Sequence, residues 1–103
     1  MAKWVRLCSA SEAPEPGQVG EAEVEGVSIC LANVGGELSA LGNMCPHRQG
    51  PLGQGWLERD CVVCPWHSWM FHTKTGMAEY PEGERVNVVP LRIEGEDVLV
   101  EIE

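Results

Sequence analysis

Two short stretches, NMCPHRQGPL (Asn43–Leu52) and CPWHSW (Cys64–Trp69), each place a cysteine and a histidine close together, with a proline directly after the cysteine. The chain contains only three histidines, so the presence of two of them in these stretches points to a shared role. Each Cys/His pair is short enough for one loop to direct both side chains toward the same point. Together the two loops offer two thiolates and two imidazoles.

The spacing is Cys45-x-His47, sixteen intervening residues, then Cys64-x-x-His67. A single Zn²⁺ takes four such ligands in tetrahedral geometry. A two-iron cluster can instead take two cysteines on one iron and two histidines on the other. Cys61 lies three residues before Cys64 in CVVC, so Cys61-x-x-Cys64-x-x-His67 is also a possible zinc knuckle, and the two cysteines a possible redox-active dithiol.

Length and composition indicate one soluble domain, residues 1–103, with a core of ordinary size. No apolar run approaches the roughly 20 residues of a membrane span, and the first residues lack the apolar segment of a signal peptide, so we expect a cytoplasmic protein. The five cysteines are an odd number, which argues against a disulfide framework. The net charge of −9 disfavours nucleic acid and anionic membranes and favours basic protein partners.

The apolar pattern is typical of strands and predicts an all-β fold. Lys3–Ala10 alternates, Ser11–Glu21 is predicted to be a loop, and residues 27–43 predict a hairpin that turns at Gly35-Gly36. A closing hairpin is predicted to turn at Glu94–Asp97. No stretch has the 3.6-residue periodicity of a long helix. Residues 43–76, rich in glycine and proline, are predicted to form loops that project from a base of paired strands.

These motifs resemble the Rieske [2Fe–2S] pattern: C-x-H, 15 to 17 residues, then C-x-x-H with a proline after the second cysteine. The resemblance extends over the chain, from a tryptophan near the start through VGGELSAL and CPWHSWMF to the closing hairpin, and is greatest to small, free-standing Rieske ferredoxins. It implies an antiparallel β-sandwich base with an inserted cluster-binding subdomain, about residues 43–76. It also implies that Cys45 and Cys64 bind the inner iron, and His47 and His67 the outer iron.

The chain departs from the high-potential members of this family at two places. Their disulfide between the cluster loops would fall at Gly50 and Trp66, so it cannot form here. Their hydroxyl donors after the second histidine would fall at Trp69 and Phe71, which have none. Because hydrogen bonds to the cluster stabilise its reduced form, we expect a potential near the low end of the Rieske range, about −150 mV.

The resemblance implies a non-enzymatic electron carrier, a monomer that passes single electrons from a flavoprotein reductase to a terminal oxygenase of an aromatic-ring dioxygenase system. The alternative is the small subunit of an NADH-dependent nitrite reductase, which shares fold and cluster. A structural zinc module is the least favoured interpretation. A complete terminal oxygenase is excluded, because its non-haem iron domain needs far more chain.

The remaining cysteine, histidine and tryptophan residues are interpreted more simply. Cys8, Cys30 and Cys61 lie in apolar strand segments and are predicted to be small buried residues. His72 lies outside both motifs and is predicted to be a surface histidine. The tryptophans of the loop region are predicted to pack around the cluster and keep water away from it; they are Trp56, Trp66 and Trp69.

Overall fold

The structure, a computed structural model, describes residues 2–45, 50–66, 68–80 and 83–102 of the chain. Both predicted histidine ligands, His47 and His67, lie outside the described residues. The described chain forms antiparallel strands, in order β1 (Lys3–Ser9), β2 (Val19–Val24), β3 (Val27–Val34), β4 (Glu37–Gly42), β5 (Trp56–Glu58), β6 (Cys61–Val63), β7 (Met70–His72), β8 (Ala78–Tyr80), β9 (Val88–Val89), β10 (Leu91–Glu94) and β11 (Asp97–Ile102).

Helical structure in the described part of the chain is limited to two single turns of 3-10 helix, Ala10–Glu12 and Leu52–Gln54. The prediction that no long helix forms is therefore confirmed for these residues. None of their helical segments is long and apolar enough to cross a membrane.

Two sheets form the base, with strand orders β1-β11-β10 and β2-β3-β4-β9. Strand β3 explains how they are held together, because its central residues are buried on both faces. Ile29 and Leu31 face a core shared with Val100 and Ile102 of the other sheet. Cys30, between them in sequence, points to the opposite face, where a second core begins. The predicted all-β sandwich base is confirmed.

Both predicted hairpins are present. Gly35 and Gly36 have φ angles of 62° and 97° and join β3 to β4, with Val34 paired to Glu37. Positive φ at both central residues is the requirement of a type I′ turn, which matches the twist of the two strands. The closing hairpin pairs Glu94 with Asp97, as predicted.

The region predicted as loops contains a third sheet, with strand order β5-β6-β7-β8. The prediction of loops alone for residues 43–76 was wrong over these strands. Each has only three residues, too few to show alternation, and β6 is buried on both faces, so its sequence CVV has no period of two. The second core lies between this sheet and β3 and β4, and includes Leu41, Val62 and Phe71.

The predicted loop at residues 11–21 is too long, because β2 begins at Val19 and pairs with β3 through Val24. Its outward-facing Glu21 and Glu23 dilute the apolar signal of a strand that has one exposed side. Cys30 and Cys61 are buried, as predicted, whereas Cys8 is only half-buried.

Candidate functional site

The first cysteine of the motif lies at the end of β4, just inside the second core. Cys45 is 1 % exposed. Its backbone N–H donates a hydrogen bond of 2.9 Å to the carbonyl of Gly50, and Met44 forms a bridge with Pro51. These contacts hold Cys45 and Met44 against Gly50 and Pro51.

Asn43 fastens the base of this first loop to the sandwich, and the sequence analysis did not identify this role. Its side-chain amide donates to Glu21 Oε2 at 2.7 Å and to Ser28 Oγ at 3.0 Å. Its Oδ1 accepts a 2.7 Å hydrogen bond from the backbone N–H of Gly53. Asn43 is 4 % exposed, and its bond to Gly53 is buried, whereas those to Glu21 and Ser28 are part-buried. The only signal in the sequence was an asparagine two residues before Cys45.

The second cysteine lies directly after β6, and its loop closes in a similar way. Cys64 is fully buried. Its N–H donates to the carbonyl of Trp69 at 2.8 Å, and its own carbonyl accepts from the N–H of Ser68 at 2.9 Å. Ser68 has a φ of 59°, in the left-handed region, which lets the chain reverse direction there.

The two loops meet at Gly50. A Cβ atom placed on Gly50 would lie 2.9 Å from the Sγ of Cys64 and 3.1 Å from Cδ2 of Trp66. Both distances are shorter than an ordinary contact, so only a glycine lets the first loop approach the second this closely. Gly50 and Trp66, which are in contact here, are also the two positions at which the disulfide of the high-potential relatives would fall.

The tryptophans differ in burial. Trp69 packs against the second core, and its ring centroid lies 6.5 Å from that of the fully buried Phe71. Trp66 covers Gly50 but is 56 % exposed, and Trp56 is 47 % exposed. Only Trp69 therefore has the burial expected of a residue that keeps water from the site.

Cys61 faces a different environment from Cys45 and Cys64. Its Sγ lies 3.2 Å from Glu79 Oε2 and 3.5 Å from His72 Nδ1. Burial, followed by the hydrogen bond to Glu79, raises the pKa of the Cys61 thiol to about 11. A redox-active dithiol needs a lowered pKa, so this environment argues against the Cys61–Cys64 dithiol. His72, predicted to be a surface histidine, is half-buried, and its Nδ1 lies beside Cys61.

Two buried thiols on touching loops suit an iron–sulfur cluster, because thiolates are its usual ligands and buried surroundings limit water access. All five cysteines lie in the described part of the chain, and no two of them form a disulfide. The donor set available from Cys45 and Cys64 therefore fits the cluster that the motif implies.

The comparisons with known proteins agree with this chemistry. The Rieske [2Fe–2S] domain family matches residues 3–90. The chain is 35 % identical over 100 residues to the biphenyl dioxygenase ferredoxin subunit of Pseudomonas sp. (strain KKS102), covering 95 % of this chain and 91 % of that one.

Two solved structures also resemble the fold. The ferredoxin of Sphingomonas yanoikuyae B1 aligns with a TM-score of 0.87 and 25 % identity over 98 % of this chain and all of that one. A chain in the complex of reduced oxygenase and oxidised ferredoxin of carbazole 1,9a-dioxygenase aligns with a TM-score of 0.82 and 26 % identity, over 93 % and 99 % of the two chains. The chain therefore belongs to the Rieske [2Fe–2S] domain family, and membership implies a [2Fe–2S] cluster.

Proposed function

We propose that this chain is an electron carrier that takes single electrons from a flavoprotein reductase and delivers them to the terminal oxygenase of an aromatic-ring dioxygenase system. The observation that carries the proposal is the contact of the two cysteine loops at Gly50, in a chain similar over its length to a dioxygenase ferredoxin subunit. The chemistry that the cluster supplies when bound is the uptake and release of one electron.

The proposed ligands are Cys45 and Cys64 on the inner iron and His47 and His67 on the outer iron. The burial of both cysteines supports their assignment to the inner iron, because it shields that side from water. The short sequence spacing of each histidine from its cysteine, and the contact of Gly50 with Cys64, support a shared site for the histidines. In this proposal residues 1–103 form one domain, and the cluster-binding part extends to the end of β8 rather than to residue 76.

Two exposed side chains of the cysteine loops, Met44 and Trp66, suit contact with a partner protein. Met44 and Trp66 are each 56 % exposed and lie directly beside Cys45 and the position of His67. Exposed apolar and aromatic side chains of this kind form the centres of protein interfaces. The proposed carrier passes electrons through this surface to its partners and catalyses no reaction of its own.

The acidic charge supports electrostatic steering toward basic partner surfaces. The formal net charge is −9. Five ion pairs of the described residues engage five of the fourteen Asp and Glu that the structure describes. Steering of this kind mainly accelerates association. We further propose that the carrier is a cytoplasmic monomer that meets its partners transiently.

The test is stopped-flow reduction of the purified, iron-loaded protein by the flavoprotein reductase of a dioxygenase system. The Debye length falls from about 30 Å at 0.01 M salt to about 10 Å at 0.1 M, so the bimolecular rate should fall over this range. A rate independent of salt, or isolation of the protein in a permanent complex with a large nitrite reductase chain, would contradict the proposed mobile carrier.

A further inference from the structure

A second group of metal-ligating side chains lies on the sheet that supports the cysteine loops. Cys61 of β6 and His72 of β7 are direct partners in the antiparallel register, so their side chains lie on the same face of the sheet. Glu79 of β8 reaches the same point beside the irregular pairing of β7 and β8. One ligand atom from each residue lies within 4.8 Å of the other two.

We propose that Cys61, His72 and Glu79 form a zinc-binding site that joins strands β6, β7 and β8, separate from the iron–sulfur site.

The two donor distances that involve Cys61 are close to those around tetrahedral zinc, and the third is within 4.8 Å. The Sγ of Cys61 lies 3.5 Å from Nδ1 of His72 and 3.2 Å from Oε2 of Glu79. With a Zn–S bond of about 2.3 Å and Zn–N or Zn–O bonds of about 2.0–2.2 Å, tetrahedral angles place two ligand atoms about 3.4–3.6 Å apart. An ion between these atoms therefore requires only small movements of side chains that are already in contact.

The ligand types select the metal. Thiolate and imidazole are poor ligands for Ca²⁺ and Mg²⁺, which take oxygen atoms, whereas zinc accepts sulfur, nitrogen and carboxylate oxygen together. Three protein ligands leave the fourth tetrahedral position for water. This position can be reached from solvent on the side of Glu79, whose side chain is 42 % exposed.

The charges around the site favour a divalent cation. Asp60 and Glu79 are both acidic residues, and both interact electrostatically with Cys61 in the same direction. The competing group is Arg59, whose guanidinium lies 3.5 Å from Oε1 of Glu79. That contact is long and the Arg59 side chain is 78 % exposed, so an ion bound to the other carboxylate oxygen displaces it at small cost.

A bound ion would stabilise the supporting sheet. The three strands that it would link have three residues each, and short strands are only marginally stable by themselves. Since the unfolded chain does not hold the three ligands together, zinc would bind the folded form preferentially and raise the melting temperature. The site would thus strengthen the platform from which the second cysteine loop, beginning at Cys64, projects.

The test is titration of the iron-loaded protein with ZnCl₂ by calorimetry, with iron measured before and after. We expect one Zn²⁺ per chain, no loss of iron, and a rise in melting temperature of at least about 5 °C. His72→Gln and Glu79→Gln should each raise the zinc dissociation constant at least tenfold, as loss of a metal-site partner commonly does. Glu96→Gln, on the exposed β10–β11 turn, is the matched control and should not change the constant.

X-ray absorption at the zinc edge then identifies the ligands without interference from iron. The proposed site contains one sulfur at about 2.3 Å with nitrogen and oxygen at about 2.0–2.2 Å. Two sulfur ligands, or release of iron on zinc addition, would show that zinc has entered the Cys45/Cys64 site and would overturn the proposal. Absence of stoichiometric binding, or equal affinity in the wild type and both glutamine variants, would overturn it as well.

Discussion

Replacement of Gly50 by alanine tests the contact between the two cysteine loops. The new methyl group would lie 2.9 Å from Cys64 Sγ and 3.1 Å and 3.2 Å from two ring atoms of Trp66. Ordinary contacts of this kind are about 3.5–4.0 Å, so the loops must separate by several tenths of an ångström or more. Inserting one methyl into a packed site costs about 1–3 kcal/mol. For a domain of this size the melting temperature should therefore fall by about 5–20 °C.

The assay is calorimetric melting of the iron-loaded protein, with the visible spectrum followed in parallel. Gly42→Ala is the matched control, because its new Cβ would have only an ordinary contact, 3.9 Å from the carbonyl oxygen of Asn87. That variant should melt at the wild-type temperature or slightly above it, since alanine restricts the unfolded chain more than glycine does. A Gly50→Ala protein as stable as Gly42→Ala, with unchanged iron content, would refute the close approach of the loops.

Three further predictions concern the same site. Asn43→Ala removes the acceptor of the buried Gly53 N–H and both hydrogen bonds that the amide donates. In urea titration it should therefore lower the free energy of unfolding by about 2–4 kcal/mol. Asn87→Ala, at an exposed position, is the control and should change this free energy little. Cys45→Ser and Cys64→Ser should each abolish the visible spectrum and the bound iron, while Cys8→Ser and Cys61→Ser should retain both; loss of iron in either of the latter would contradict the ligand assignment. Phe71→Tyr adds a hydroxyl donor in the core that also contains Cys45 and Cys64. If its hydrogen bond stabilises the reduced cluster by about 1–2 kcal/mol, voltammetry should show a reduction potential higher by about 40–90 mV. An intact cluster with no upward shift would show that missing hydroxyls do not set the potential.

The base of the fold was predictable because its signals are local. The Gly35-Gly36 turn and the alternation of the closing hairpin specify two strand pairs without any knowledge of distant contacts. The third sheet was missed for the opposite reason. Its strands have three residues each, and β6 is held by packing against the second core rather than by a pattern in its own sequence.

The spacing predicts which cysteines belong to the proposed site, but it does not predict their surroundings. Burial of Cys45 and Cys64 follows from the packing of the third sheet against β3 and β4, which no local pattern reveals. The anchoring of the first loop by Asn43 depends on Glu21 and Ser28, which come from two other strands. The grouping of Cys61 with His72 and Glu79 likewise arises only when β6, β7 and β8 pair.

The ligand set of the cluster is the central claim, and pulsed electron paramagnetic resonance of the reduced protein, labelled with ¹⁵N-histidine, tests it most directly. Two histidine nitrogens bound to iron should be detected in the wild type and in His72→Ala, because the proposed ligands are His47 and His67. Loss of one coupling in His72→Ala, or a wild-type spectrum without coordinated histidine nitrogen, would contradict the proposed set of Cys45, His47, Cys64 and His67.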